Sequence, residues 1–293
     1  MRLPLVITAV VAAVLIAGVA YIAGTRAGDD ETPAPVTTTG ATGVTGETGT
    51  TGETSATSTT GTDIGDLTGL NLTVYTAKGY AQPSIGNDLK DIKTLGSTSV
   101  TLVPTWYMQT RDANSIMPNA AKSPTDASLV RAINLAHRAG LKVVLKPHVD
   151  VIDETFRGEI RPADRVLWFQ SYGAMIKHYA DIAAKTGTDA FVVGTELKTM
   201  STETDAFRTV IDSVRSAYSG PLTYAANWDE VDQVQFWDSL DLIGVDAYYP
   251  LSSPGQKPSV DDLVAAWQTP LTALKATSDK WGKPVIMTEI GYP

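Results

Sequence analysis

Residues 169–197, FQSYGAMIKHYADIAAKTGTDAFVVGTEL, contain in one stretch the unit from which the rest of the chain is built. Phe169, Tyr172, Ile176 and Tyr179 recur at helical spacing and predict one apolar helix face. Gly187 follows, suited to a left-handed C-cap because it has no Cβ to clash. Ala190–Gly194 then forms a short apolar run of strand length, and Glu196 stands directly after it. Helix, glycine, buried strand and polar strand end thus succeed one another within 29 residues.

The same order extends in both directions. Strands are predicted at Leu70–Tyr75, Ser99–Thr105, Lys142–Pro147, Ala190–Gly194, Leu222–Ala226, Leu242–Val245 and Val285–Thr288. Between them lie helical patterns such as Leu129, Ile133 and Ala136, and Phe207, Val210, Ile211 and Val214. Gly96, Gly140, Gly220 and Gly282 stand where Gly187 does, each shortly before a strand and each expected to close a helix. Alternating β and α elements with near-continuous apolar strands predict a parallel sheet covered by helices. No Gly-x-Gly-x-x-Gly follows the first strand, which argues against a dinucleotide-binding fold.

Polar and aromatic residues collect after the strands: Trp106 and Tyr107, His148 and Asp150, Thr195 and Glu196, Asn227 and Trp228, Asp246 and Tyr248, and Glu289. A (β/α)8 TIM barrel builds its site at that end. The chain stops at Pro293, directly after the seventh strand, and Leu67–Pro293 is shorter than the roughly 250 residues typical of the fold. The expectation is therefore an α/β barrel truncated after its seventh strand, with an open edge and exposed core.

Residues 1–66 read differently. Leu3–Ile22 is apolar apart from Pro4 and Thr8, and at about 20 residues it is long enough to span a bilayer. Residues 1–27 are thus a signal peptide or a membrane anchor. Residues 28–66 are a Thr/Gly-rich linker with too few large apolar side chains for a core, a spacer or an O-glycosylated stalk. An extracellular or cell-surface location follows. The formal charge is −9, but seven acids and two bases precede Leu67, leaving −4 on the barrel. A mildly acidic domain without a basic cluster excludes nucleic acid as a partner and favours a neutral substrate. With no cysteine, disulfides, thiol nucleophiles and Cys-based metal sites are excluded.

Glu196 and Glu289 each end an apolar strand, where a charge is costly unless it lines a polar site. Strands four and seven face each other across a closed barrel, so the pair suits glycosidic cleavage, which needs one acid and one facing carboxylate. The alternative, that either residue only caps the following helix, is weaker for Glu196 because Ser201 and Thr202 offer caps there. His148, in KPHVD beside Lys146, is a substrate contact or a hydrogen-bonded core residue. It is not read as a zinc ligand, since His137 and His178, the other two histidines, fall within helices. Trp106 and Trp228 are flat side chains suited to stacking on sugar rings or to core packing. Trp168, Trp267 and Trp281 lie on helices and are assigned to the core.

VGTEL (193–197 within the fourth strand and its end), MTEIGYP (287–293), LKPHVD (145–150) and GVDAYYPL (244–251) together resemble the clan A glycoside hydrolases, and most closely glycoside hydrolase family 113, the endo-β-1,4-mannanases. The resemblance runs from about Leu70 to Pro293. It implies a retaining hydrolase of β-linked polysaccharide, with Glu196 as acid/base, Glu289 as nucleophile, and no metal or cofactor. It also implies that Tyr248, or Tyr249 instead, donates to Glu289. By their place at strand ends, Asp150 and Asn227 are read as substrate contacts, and Asp246 either as a contact to a sugar hydroxyl or as a helix-capping or turn residue. Thr195 stands where much of clan A has an Asn that reaches the sugar 2-hydroxyl, so the sugar preference is open at that position. A non-catalytic carbohydrate-binding scaffold and a hydrolase of another β-glycan are the competing readings.

Overall fold

In the computed structural model, residues 66–253 and 255–291 are described. The membrane or signal segment and the linker read from the sequence, save Asp66 at its end, lie outside the described residues. Among those residues, no helix is long and apolar enough to cross a membrane.

Seven strands form one all-parallel sheet: β1 (Gly69–Thr73), β2 (Ser99–Val103), β4 (Lys142–Leu145), β6 (Ala190–Thr195), β7 (Leu222–Asn227), β8 (Ile243–Ala247) and β9 (Val285–Ile290), hydrogen-bonded in that order. Every predicted strand is present. Two run on past a proline as a separate parallel pair, β3 (Thr105–Met108) with β5 (His148–Val151). Pro104 and Pro147 lack the N–H that would continue the main ladder, so β2 and β4 break there and resume beyond.

Among the described residues six α-helices accompany the sheet: α1 (Ile85–Thr94), α2 (Asp126–Arg138), α3 (Arg165–Thr186), α4 (Thr204–Arg215), α5 (Val260–Ala266) and α6 (Gln268–Trp281). The predicted faces are those buried: Leu129, Ile133 and Ala136 on α2, Tyr172, Ile176 and Tyr179 on α3, with Phe169 half-buried against the same core, and Phe207, Val210, Ile211 and Val214 on α4. Asp164 caps α3 by accepting from the Leu167 N–H at 3.1 Å, and Gly187 ends it at φ +65°. Gly220 departs from expectation, since it does not adopt a positive φ. The Tyr218 ring lies where a Cβ would project, so glycine serves close packing there. Nor do Ser201 and Thr202 cap α4, whose N-cap is Glu203 without a side-chain bond.

The edges are β1 and β9. β4, β6, β7 and β8 are almost wholly buried, whereas all six residues of β9 are only half-buried and α5 buries none. The expected exposure therefore falls on both edge strands, β9 half-buried throughout and β1 alternating exposed and half-buried residues. The edge is nonetheless bridged: Asn71 Nδ2 in β1 donates to the Thr288 carbonyl of β9 at 3.4 Å. The sheet curls until its two ends are within side-chain reach.

Candidate active site

Glu196 leaves β6 in a turn of its own. Its φ is +52°, a left-handed conformation costing a non-glycine residue about 1–2 kcal/mol, and one extra residue in β6 shifts the register against β7 between Val192 and Thr195. The turn is held from below. Glu196 N–H donates to the Ala225 carbonyl at 2.8 Å, and Leu197 N–H donates to Tyr224 Oη at 2.8 Å. Tyr224 in turn donates to the buried Glu230 carboxylate at 2.6 Å, whose other oxygen accepts from Asn227 N–H at 3.0 Å. Gly194 is required where it stands, because Tyr172 and Tyr224 occupy the space a Cβ would need.

Glu289 lies within β9, beside a second irregularity. Val245 pairs with Met287 but Asp246 with Glu289, so Thr288 is the extra residue. Bulges of this kind re-aim side chains near functional sites. Glu289 Oε1 accepts from Lys146 Nζ at 2.6 Å and Oε2 from the Tyr248 hydroxyl at 2.7 Å. Lys146 is wholly buried and also donates to both oxygens of Asp246, at 2.9 and 3.1 Å. Thr288 Oγ1 completes the Asp246 shell at 2.7 Å.

On the opposite carboxylate, Arg157 Nη1 donates to Glu196 Oε2 at 2.8 Å. The same guanidinium donates to Asp150 Oδ1, at 2.5 Å from Nη2 and 3.2 Å from Nε, and to the Val149 carbonyl. The two glutamates therefore sit in opposite surroundings. Burial, reinforced by Asp246, pushes the Glu196 carboxyl up to about 7 against the pull of Arg157. Burial also acts to raise Glu289, but Lys146 and the Tyr248 hydroxyl outweigh it and hold Glu289 below the usual carboxylate value. Burial, with Arg157 and Lys146 nearby, drops His148 far below an ordinary imidazole, so it is neutral at pH 7.

The remaining sequence candidates divide. Asp150 joins the site through Arg157, and Tyr248 rather than Tyr249 reaches Glu289. Tyr249 instead lies between Trp228 and Trp267, ring centroids 5.7 and 5.5 Å away, forming a half-buried aromatic wall. Trp267 thus belongs to that wall and not to the closed core, while Trp168 is core as expected. Asp246 is wholly buried and spent on Lys146 and Thr288, which corrects its reading as a sugar contact. Trp106 is not brought into the group, since its ring packs on His178 and Tyr179 of α3. Asn227 turns its Oδ1 back to the Trp228 N–H at 2.9 Å. His148 Nε2 and Thr195 Oγ1 are buried without a hydrogen-bond partner among the described residues.

Two residues central to this geometry carried no role in the sequence reading. Lys146 had a signal, a charge ending an apolar strand. Arg157, in a 3-10 turn at Arg157–Glu159, had none, because nothing periodic surrounds it. Among the described residues no cluster of His, Asp and Glu is arranged to hold a metal.

The model of glycoside hydrolase family 113 matches residues 73–293, most of the chain. The chain belongs to glycoside hydrolase family 113. A family 113 member is a glycoside hydrolase, and the fold agrees. The chain is similar to the family 113 β-mannanase AaManA from Alicyclobacillus acidocaldarius, solved with ManMIm, at 29% identity and TM-score 0.69, covering 76% of this chain and 69% of that one. Another family 113 β-1,4-mannanase matches at 28% identity and TM-score 0.67, covering 75% and 70%. The catalytic domain of a mannanase from Streptomyces sp. SirexAA-E shares the fold at 15% identity and TM-score 0.50, covering 78% and 66%. No curated protein matches.

Proposed function

We propose that this family 113 hydrolase is a retaining β-1,4-mannanase in which Glu196 is the acid/base and Glu289 the nucleophile. The opposite surroundings of the two glutamates carry the assignment, because carboxylates driven apart in pKa divide into acid and base or nucleophile. In the first step Glu289 attacks the anomeric carbon, the glycosidic bond breaks, and Glu196 gives its proton to the departing oxygen. In the second, water attacks that carbon, Glu196 takes the water's proton, and the bond to Glu289 breaks. Tyr248 and Lys146 keep Glu289 ionised for the attack. The likeness to two β-mannanases supports mannan as substrate.

Azide resolves the two roles. Glu289→Ala opens space beside the anomeric carbon while Glu196 still assists departure, so azide gives a glycosyl azide of inverted configuration. Glu196→Ala spares substrates with good leaving groups, and azide then attacks the covalent intermediate to give the retained product. Exchanged configurations by NMR would mean reversed roles. Near wild-type rates in both variants would remove the site.

On the length and apolarity of Leu3–Ile22 we propose export, with the enzyme held at the cell surface. Part of the protein is then expected in the membrane fraction. A wholly soluble product with an N-terminus near Ala23 or Ala27 would exclude the anchor.

A further inference from the structure

Arg157 is the one cation in direct contact with Glu196 among the described residues, and it is itself fastened. Three of its contacts go to the backbone and side chain of β5, at Val149 and Asp150, and the fourth to Glu196. Its side chain is 17% exposed, so this is an enclosed ion pair and not a surface bridge. Resting on the assignment of Glu196 above, we propose that Arg157 is a positioning residue for the second step, holding Glu196 as the carboxylate that accepts the proton of water, and that Asp150 keeps Arg157 in place.

The geometry separates the two steps. Glu196 is faced by Arg157 from the 3-10 turn, Asp246 from β8, Glu289 from β9 and Lys146 from the end of β4. Arg157 is faced in addition by Asp150 and His148 of β5 and Tyr107 of β3. Before reaction, the negative charges of Glu289 and Asp246 oppose ionisation of Glu196 and favour its protonated, donating form. Once Glu289 is esterified to the sugar, its charge is gone, and Glu196 has given up its proton. Arg157 is then the group in contact that stabilises the resulting carboxylate. An Arg beside a carboxylate lowers its pKa by roughly 1–3 units. The effect of Arg157 should therefore fall on the water-consuming step.

An aryl β-mannobioside with a 2,4-dinitrophenyl leaving group needs no acid in the first step, which makes the second rate-limiting. In Arg157→Gln, kcat on this substrate should drop at least about tenfold, and azide, which needs no base, should restore it. On an unactivated mannooligosaccharide, the basic limb of kcat/KM should move up by about one pH unit or more. Arg157→Lys should recover part of both effects, and Asp150→Asn should reproduce them more weakly. If Arg157→Gln fails to fold, Asp150→Asn carries the same two measurements. A basic limb left in place, with no azide rescue, would reduce Arg157 to a structural ion pair. Glu196→Ala serves as reference on the unactivated mannooligosaccharide: wild-type activity on that substrate would overturn the underlying assignment whatever Arg157 does.

Discussion

Lys146 is an ammonium with no access to water, bound between Asp246 and Glu289. Desolvating an ion costs several kcal/mol, and here two carboxylates and the adjacent Thr288 hydroxyl repay it. Removing the ammonium leaves two neighbouring carboxylates that cannot both stay ionised. Lys146→Met is thus expected to cost about 3–5 kcal/mol, read by urea unfolding. Glu289 has a folded pKa below its unfolded value, so its share of stability is present above the unfolded pKa and is lost as pH falls through the folded one. In Lys146→Met that dependence should disappear and the acid limb of kcat/KM should move to higher pH. Lys146→Met combined with Asp246→Asn should be more stable than Lys146→Met alone, because the uncompensated charge is gone. Equal stability of the two would argue against the charge balance.

At the scale of elements, the site depends on two strands that break register. The extra residue in β6 and the extra Thr288 in β9 turn Glu196 and Glu289 out of the regular alternation. The β6 turn is pinned through Tyr224 to Glu230, and the same carboxylate ties down the Asn227–Trp228 turn after β7. Tyr224→Phe deletes the acceptor of Leu197 N–H and a donor to a buried carboxylate. It should cost about 1–3 kcal/mol in a thermal or chemical melt and lower kcat with Glu196 itself intact. Unchanged kcat beside lowered stability would mean that the strained turn holds without this support. The seven strands and the buried faces of α2, α3 and α4 were legible from period and glycine placement. The breaks at Pro104 and Pro147 and both bulges were not, because one inserted residue leaves apolar periodicity unaltered.

Across the molecule, order should be uneven. β6 and β7 are covered on both sides, while β9 is half-buried throughout and lies at a sheet edge. Amides of β9 and α5 should exchange with deuterium well before those of β6 and β7, and the protein should bind a hydrophobic dye. Uniform protection and no dye binding would show that the edge is closed more tightly than the Asn71–Thr288 contact implies.

The chain's periodicities already dictate the class of fold, the order of its strands and the end of the sheet where chemistry-bearing residues gather. These are local properties: side-chain spacing along a helix or strand and the conformational range of glycine act over a few residues. Nearest-neighbour chemistry likewise marked Glu196 and Glu289, since each is a charge closing an apolar run. The partners of those carboxylates are another matter. Lys146 meets Asp246 and Glu289 across 100 and 143 residues, and Arg157 meets Glu196 from a turn without periodicity. Such pairings depend on how far the sheet curls and which way each bulge aims a side chain. That is settled by packing over the whole barrel, and it is why Trp106 faces a helix while Arg157 faces the site.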